Sequence, residues 1–262
     1  MSIYDWHHTS WDLRSATGLT ALLPVGAIEP YGPHLPLDTQ NRLLDAIARR
    51  VAERLPGDVY LLPTLPFGQS GAYAGFPGAV GLSWRTLLAT LTDLGYSLLQ
   101  TGVRRLAVLA GLGGAGCTTA LPRENRIVKT AVRRLNYEHP DLDALWVQPL
   151  TVATPPLEEL FPSARDDFHG GEVVTSLMLH LWPELVRLER IRDNNLDHVP
   201  SQKAAILDAV PFSTLCPQGV WGRPSQSDVE RGAAALEAIV AGTARYIEET
   251  FQEMARLKRH PG

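Results

Sequence analysis

The chain alternates short apolar runs with longer amphipathic segments. The apolar runs at 19–25, 59–62, 105–110 and 144–147 predict four buried strands. Strands that alternate with helices form βαβ units, which build a mainly parallel sheet with helices on both faces. The pattern therefore predicts an α/β fold of three layers, α/β/α, around a mainly parallel central sheet.

The segments between the apolar runs carry an apolar residue at every third or fourth position, which is the period of a helix. In the first segment this face consists of Leu43, Ile47, Val51 and Leu55. Ser83 is a suitable N-cap for the second helix, and further helices are predicted at 127–135, from about 171, and at about 228–254. No linker, charge block or internal repeat divides the sequence, so residues 1–262 are predicted to form one domain.

Composition narrows the classes of protein to which the chain can belong. Hydrophobic residues make up 45% and charged residues 20% of the 262 residues, which excludes a disordered chain. The net charge of −4 supplies no basic surface for a phosphate backbone, so no nucleic-acid partner is expected. Cys117 and Cys216 are the only cysteines, too few for a disulfide framework or a thiolate metal cluster.

The apolar pattern also bears on location. Residues 1–20 show neither the basic start nor the long apolar middle of a signal peptide. Apolar runs elsewhere end well before the roughly 18 residues that a membrane span needs. We therefore expect a cytoplasmic protein that has no membrane partner.

Candidate chemistry lies in three segments that follow predicted strands, where open α/β sheets bind ligands. These segments are the loop 26–40, the glycine turn 111–116 and the stretch 166–172. The glycine turn fits G-x-G-x-x-G between a strand and a helix, the context of a dinucleotide site. The next strand is followed by Gln148 and Pro149 and by no acid for a ribose, which favours a tight structural turn instead.

The loop after the first strand is more specific. Its residues 24–37 read P-V-G-A-I-E-P-Y-G-P-H-L-P-L, which resembles the signature P-V-G-S-x-E-Q-H-G-P-H-L-P-L of the creatininase (creatinine amidohydrolase) family. Four further matches follow in the family's order, at 75–78, 109–115, 169–179 and 219–224. The resemblance implies a metal-dependent hydrolase of cyclic amides and related C–N bonds, which is often a homohexamer. In such an enzyme two divalent ions polarise the carbonyl and supply a bridging hydroxide.

Several positions depart from the metal-ligand pattern that this resemblance implies. Glu29 is retained and Glu172 matches a late ligand Glu, whereas Tyr31 replaces a His, Gln40 replaces the bridging Asp, and Leu112 replaces a second His. A glutamine amide offers one neutral oxygen, and a leucine side chain offers no donor atom. The pKa of a tyrosine phenol, about 10 in model compounds, keeps it protonated at neutral pH. We therefore expect no dinuclear centre and no cofactor, with a single cation at Glu29 and Glu172 left open.

The same segments supply the candidate site residues. For proton transfer we predict Glu29, His169 and Glu172 as the catalytic residues. The predicted substrate-binding residues are Tyr31, His34, Gln40, Tyr73, Gly113 and Gly114. A carboxylate that only complements a helix dipole is the alternative for Glu172, and a hydrogen-bonded structural histidine is the alternative for His34.

Three hypotheses of function follow. In the first, the protein hydrolyses a small amide-like or cyclic C–N or carbonyl compound, or opens or closes its ring, by carboxylate and histidine acid–base chemistry. In the second, it is a non-catalytic member that serves as a binding or scaffold subunit. The third and lowest-ranked is a dinucleotide-binding oxidoreductase. By the resemblance, the partners are a small-molecule ligand and further copies of the chain.

Overall fold

A parallel sheet forms the centre of the molecule in the computed structural model. The structure describes residues 1–68, 71–112, 122–164, 166–194 and 210–259, with the side chains of 122–125 left out. The strands in these ranges are β1 (Ile3–Tyr4), β2 (Thr20–Val25), β3 (Val59–Leu61), β4 (Arg105–Ala110) and β5 (Asp143–Val147). They pair in parallel in the order β1-β3-β2-β4-β5. The predicted α/β class with a mainly parallel sheet is thus confirmed.

Helices cover both faces of the sheet. Within the described ranges they are α1 (Thr39–Ala52), α2 (Trp84–Gln100), α3 (Pro122–Glu138), α4 (Pro149–Val152), α5 (Thr154–Leu160), α6 (Glu172–Leu181), α7 (Phe212–Leu215) and α8 (Val229–Arg259). Ser83 caps α2 as predicted, because its hydroxyl accepts a hydrogen bond from the Thr86 N–H at 3.2 Å. The short elements β1, α4, α5 and α7 were not predicted, since they hold too few residues to establish a period.

The two faces of β2 build separate cores, which gives the three layers. Leu22 packs in one core with Ile47 of α1 and Ile239 of α8. Its neighbour Leu23 points to the opposite face and packs in a second core with Leu91 of α2. Every residue of β2 is buried, as expected for a strand that has helices on both sides.

A close approach of α8 to α6 gives a test of this packing. A β-carbon at Gly232 would overlap the Ser176 carbonyl oxygen, whereas one at Gly242 would lie 3.3 Å from the Val152 carbonyl oxygen. We expect Gly232→Ala to lower the free energy of unfolding by about 2 kcal/mol, the usual cost of overpacking. Gly242→Ala is the matched control in the same helix, where the better helix propensity of alanine offsets a small displacement. Urea denaturation measures both, and equal stability of the two variants would contradict this packing.

The order of the strands places a ligand-binding position at the ends of β2 and β4. From β2 the chain crosses to β3 on one side, and it later returns to β4 on the other side. In open α/β sheets, ligands bind at such a switch point, outside the carboxyl ends of the strands. The loop 26–38 leaves β2 here, and Gly26 lets it pass Asn41, whose side chain a β-carbon would overlap. In the described part of the chain, no helix is both long and apolar enough to cross a bilayer.

Candidate active site

Glu29 lies in the loop after β2 and is 2% exposed. Its Oε2 atom has no hydrogen-bond partner among the residues that the structure describes. Burial raises the pKa of this carboxyl to about 7, and a hydrogen bond from Tyr31 opposes part of the rise. Near neutral pH a carboxyl group with this pKa can both accept and release a proton, as a general acid–base needs.

Tyr31 and Gln40 join the same group. The Tyr31 hydroxyl donates a hydrogen bond to Gln40 Oε1 at 3.0 Å, and both side chains are buried. These are two of the positions at which the family resemblance implies metal ligands, and here they satisfy each other. The Tyr31 hydroxyl also lies within hydrogen-bonding reach of the Glu29 carboxyl, and its single proton is shared between these two acceptors. The predicted residues Glu29, Tyr31 and Gln40 therefore form one hydrogen-bonded group.

His169 is fixed by hydrogen bonds at both ring nitrogens. Nε2 lies 2.6 Å from the Pro30 carbonyl oxygen, and Nδ1 lies 3.0 Å from the Tyr73 hydroxyl. A carbonyl can only accept, so Nε2 carries the proton and Nδ1 accepts from Tyr73. Burial lowers the pKa of His169 to about 4, so the ring is neutral at pH 7.

Three aromatic rings surround His169. Tyr31 and Tyr73 stack on the imidazole, with centroids 4.3 and 4.7 Å from its own, and Phe212 meets it edge-on at 5.3 Å. The His169 backbone also exchanges two hydrogen bonds with Trp221, at 2.9 and 2.8 Å. The fold therefore brings the predicted residues Tyr31, Tyr73 and His169 together, from segments far apart in the chain.

Glu172 begins α6 and is fully buried, and both of its oxygens are occupied. Oε1 lies 2.5 Å from Nη1 of Arg231, and Oε2 accepts a hydrogen bond from the Ser163 hydroxyl. Sequence reasoning did not single out Arg231. A signal was present, because a cation in the first turn of a helix opposes the helix dipole and so calls for a specific partner.

Asp167 is a third buried carboxyl, beside Glu29 and Glu172, and it was not among the predicted site residues. Its Oδ2 accepts a hydrogen bond from the Val173 N–H at 2.7 Å, and the Gly171 N–H donates another. Burial, followed by the charge of Glu172, raises the pKa of Asp167 to about 7. A β-carbon at Gly171 would overlap this carboxylate, so Gly171 makes room for Asp167 at the start of α6.

The remaining candidates lie elsewhere. His34 is fully buried, and its Nε2 lies 3.0 Å from Oγ1 of Thr175 in α6, a contact that suits the structural alternative. Burial lowers the pKa of His34 to about 4, and the charge of Asp193 opposes this shift. Gly113 and Gly114, with the rest of the glycine turn after Leu112, lie outside the described residues.

The side chains at the implied ligand positions do not fit a pair of divalent ions. Tyr31 and Gln40 are bonded to each other, and Leu112 is buried and apolar. Arg231 pairs with Glu172. Glu29 is the implied ligand that keeps an oxygen without a hydrogen-bond partner among the described residues. Over the described ranges, no three His, Cys, Asp or Glu side chains are grouped so that they could hold a metal ion. Zinc requires about four ligands, and most of them come from protein.

Comparison with known proteins identifies relatives along nearly the whole chain. The family model described as creatinine amidohydrolase matches residues 7–247. The creatinine amidohydrolase of Pseudomonas putida is 31% identical over 258 residues, which cover 92% of this chain and 94% of the relative. The mycofactocin precursor peptide peptidase of Mycolicibacterium smegmatis is 31% identical over 248 residues, 92% of this chain and 88% of its own.

Solved structures agree with this comparison. A structure described as creatininase Mn aligns with a TM-score of 0.72 and 25% identity, and the alignment covers 94% of this chain and 98% of that one. A creatinine amidohydrolase (creatininase) structure aligns with the same TM-score and 28% identity, over 94% and 97% of the two chains. The α/β/α architecture and the order of the matched segments are therefore shared with these proteins.

Proposed function

The chain belongs to the creatininase family, and from this premise we propose that it acts on the C–N bond of a small amide-like or cyclic compound. The names of the two relatives, an amidohydrolase and a peptidase, both describe hydrolysis of such bonds. The proposed reaction is hydrolysis or ring opening, or ring closure in the reverse direction, without a pair of metal ions.

The observation that carries this proposal is the state of Glu29. Its carboxyl is buried at the switch point of the sheet, has an open oxygen, and has a pKa raised to about 7. Burying such a group costs free energy, and perturbed carboxyls of this kind are concentrated at functional sites. A purely structural carboxylate would be satisfied at both oxygens, as Glu172 is.

In the proposed reaction, Glu29 moves the proton. As a carboxylate it takes a proton from a water molecule while the water oxygen attacks the carbonyl carbon. It then delivers this proton to the nitrogen, which leaves with the electrons of the C–N bond. Tyr31, which is itself bonded to Gln40, holds the carboxyl in place, and His169 anchors the Pro30 carbonyl beside it. A direct proton transfer by His169 or Glu172 stays a prediction, as does binding of a carbonyl oxygen by Gly113 and Gly114.

A second candidate function is a non-catalytic binding or scaffold subunit. It is favoured by the hydrogen bonds that other protein groups make to the side chains at the positions where the family resemblance implies metal ligands. Tyr31 pairs with Gln40, and Arg231 pairs with Glu172, so the fold is satisfied without any ligand at these residues. The oxidoreductase hypothesis depends on a glycine turn outside the described residues, and the homo-oligomer, the cytoplasmic location and the single domain also stay predictions.

Metal removal tests the proposed reaction. We expect the purified protein to release product from a member of a panel of creatinine, other cyclic amides and short peptides, and to keep this activity after dialysis against a chelator. The physical reason is that Glu29 needs no Lewis acid to exchange a proton at neutral pH. Amine release and metal analysis by mass spectrometry are the two measurements.

The other outcomes are equally informative. Activity that is lost on chelation and restored by zinc or manganese would refute the metal-free mechanism. No activity on any member of the panel, together with a stable complex with another protein, would favour the scaffold function.

A further inference from the structure

A groove of about 460 Å³ opens on the outer side of the loop that carries Glu29. Its walls come from residues 30–37, 76–77 and 217–218, and Arg190 and Arg192 stand at its side. We call it the arginine groove. The first two wall segments lie in the blocks that match the family signature, and the third directly precedes another such block. The groove is therefore built by the same loops as the candidate active site.

Pro30 connects the groove to that site. One face of Pro30 lines the groove, whereas its carbonyl oxygen accepts the hydrogen bond from His169 on the inner side. Glu29 is the preceding residue in the chain. Gly32 has a positive φ of 76°, and a β-carbon there would overlap the Val220 side chain, so the wall of the groove packs closely against the segment 219–224. A molecule in the groove lies against the backbone that holds Glu29.

The guanidinium groups of the two arginines are available to an anionic ligand. Within the described ranges, Arg192 donates to two main-chain oxygens, those of Ile191 at 2.6 Å and Glu189 at 3.4 Å. Arg190 lies 3.6 Å from the Glu189 carboxylate, with both side chains more than 60% exposed, which makes a weak ion pair. Asp193 is already engaged by Ser225 at 2.9 and 2.5 Å. Among the described residues, therefore, the exposed pair with Glu189 is the one ion pair that these two guanidinium groups make.

We propose that the arginine groove binds the carboxylate of an organic monoanion, such as an N-acyl amino acid or the C-terminal end of a short peptide. Guanidinium groups bind carboxylates with two parallel hydrogen bonds. Pro30, Phe76, Pro77 and Pro217 offer apolar walls for the body of such a molecule. The Glu189 carboxylate lies 3.6 Å from Arg190, so a singly charged acid fits better than a phosphate dianion. That this acid is the substrate rests on the proposed function; that it binds does not.

Hippurate, which is N-benzoylglycine, is a suitable probe because it joins an aromatic ring, one amide and one carboxylate. Hippuramide is the uncharged control ligand, in which an amide replaces the carboxylate. We expect hippurate to bind with a dissociation constant in the millimolar range or below, and hippuramide to bind about tenfold more weakly. Titration by isothermal calorimetry, supported by ligand-observed NMR, measures both.

The variants locate the binding. R190A/R192A is expected to weaken hippurate binding about tenfold while hippuramide binding stays unchanged. R133A/R134A removes the same charge from exposed positions on α3, outside the groove, and is expected to bind as the unmodified chain does. Glu29→Gln is expected to retain hippurate binding, so loss of activity in that variant is separate from loss of the groove.

Each contrary result has one meaning. Equal affinity for hippurate and hippuramide, equal loss in the two double variants, or no binding of hippurate at millimolar concentration would overturn the carboxylate groove. Tighter binding of phenyl phosphate than of hippurate would show an oxyanion site of another class and would also overturn it. If the groove binds hippurate as expected while activity is independent of Glu29, the groove stands and the proposed reaction fails.

Discussion

Replacing Glu29 by Gln is expected to lower the turnover of any accepted substrate by about 100-fold or more, the usual contribution of a general acid–base. Glutamine preserves the size of the side chain and can still bond Tyr31, but it cannot take up or release a proton. The measurement is kcat for the best member of the amide panel. Glu159→Gln, which removes an exposed carboxylate outside the site, is the control and should leave kcat unchanged.

The same variant carries a stability signature with a definite sign. The pKa of Glu29 is raised from 4.5 to about 7 in the folded protein, so below pH 4 both states are protonated and Glu29 has no effect. Between these two values the unfolded chain ionises first, and the folded state loses stability as the pH rises. At pH 8 we expect Glu29→Gln to be more stable than the unmodified protein by about 3 kcal/mol. Reduced turnover together with reduced stability at pH 8 would mean damage to the fold and would contradict the acid–base role.

Replacing Arg231 by Met is expected to lower the free energy of unfolding by about 3 kcal/mol or more, because it leaves the fully buried Glu172 carboxylate without its cation. Arg54→Met is a matched control, since Arg54 pairs with Glu237 of α8 at 2.6 Å on the surface. That exposed pair is expected to contribute less than about 1 kcal/mol. Urea denaturation at pH 7 compares the two variants.

A second substitution separates the structural role of Glu172 from a catalytic one. The double variant R231M/E172Q removes both charges, so we expect it to recover most of the lost stability. If its turnover then equals that of the unmodified protein, Glu172 only positions α6. If Arg231→Met lowers the free energy of unfolding no more than Arg54→Met does, the buried ion pair does not stabilise the fold.

Local signals explain which parts of the fold could be predicted. The strand at 105–110 and the cap at Ser83 follow from the apolar period and from one hydroxyl, and the structure agrees with both. The last helix runs to Arg259, beyond the predicted end near Met254. Its final turn is held by Lys258, which donates to the Pro140 carbonyl oxygen, and a contact between residues so far apart leaves no trace in a local period.

The candidate site also combines features that local sequence signals predict with long-range contacts that they do not. Glu29 stands out in the sequence because a carboxylate in a Gly/Pro loop directly after a buried strand is hard to explain as an ordinary solvent-exposed charge. The stacking of Tyr73 on His169 and the pairing of Arg231 with Glu172 join residues 96 and 59 positions apart. Such contacts exist only once the segments have packed, so the sequence identified the participants more readily than their partners.

The hydrogen bond between Tyr31 and Gln40 makes the ligand pattern that the family resemblance implies hard to build one substitution at a time. Histidine at position 31 alone would remove the tyrosine hydroxyl that now donates to the buried Gln40 oxygen. Aspartate at position 40 alone would set a new anion near Glu29, whose own ionisation burial already disfavours. Each of these two substitutions is compatible with the buried group only together with the other and with a bound cation, so a functional metal site would require several simultaneous changes.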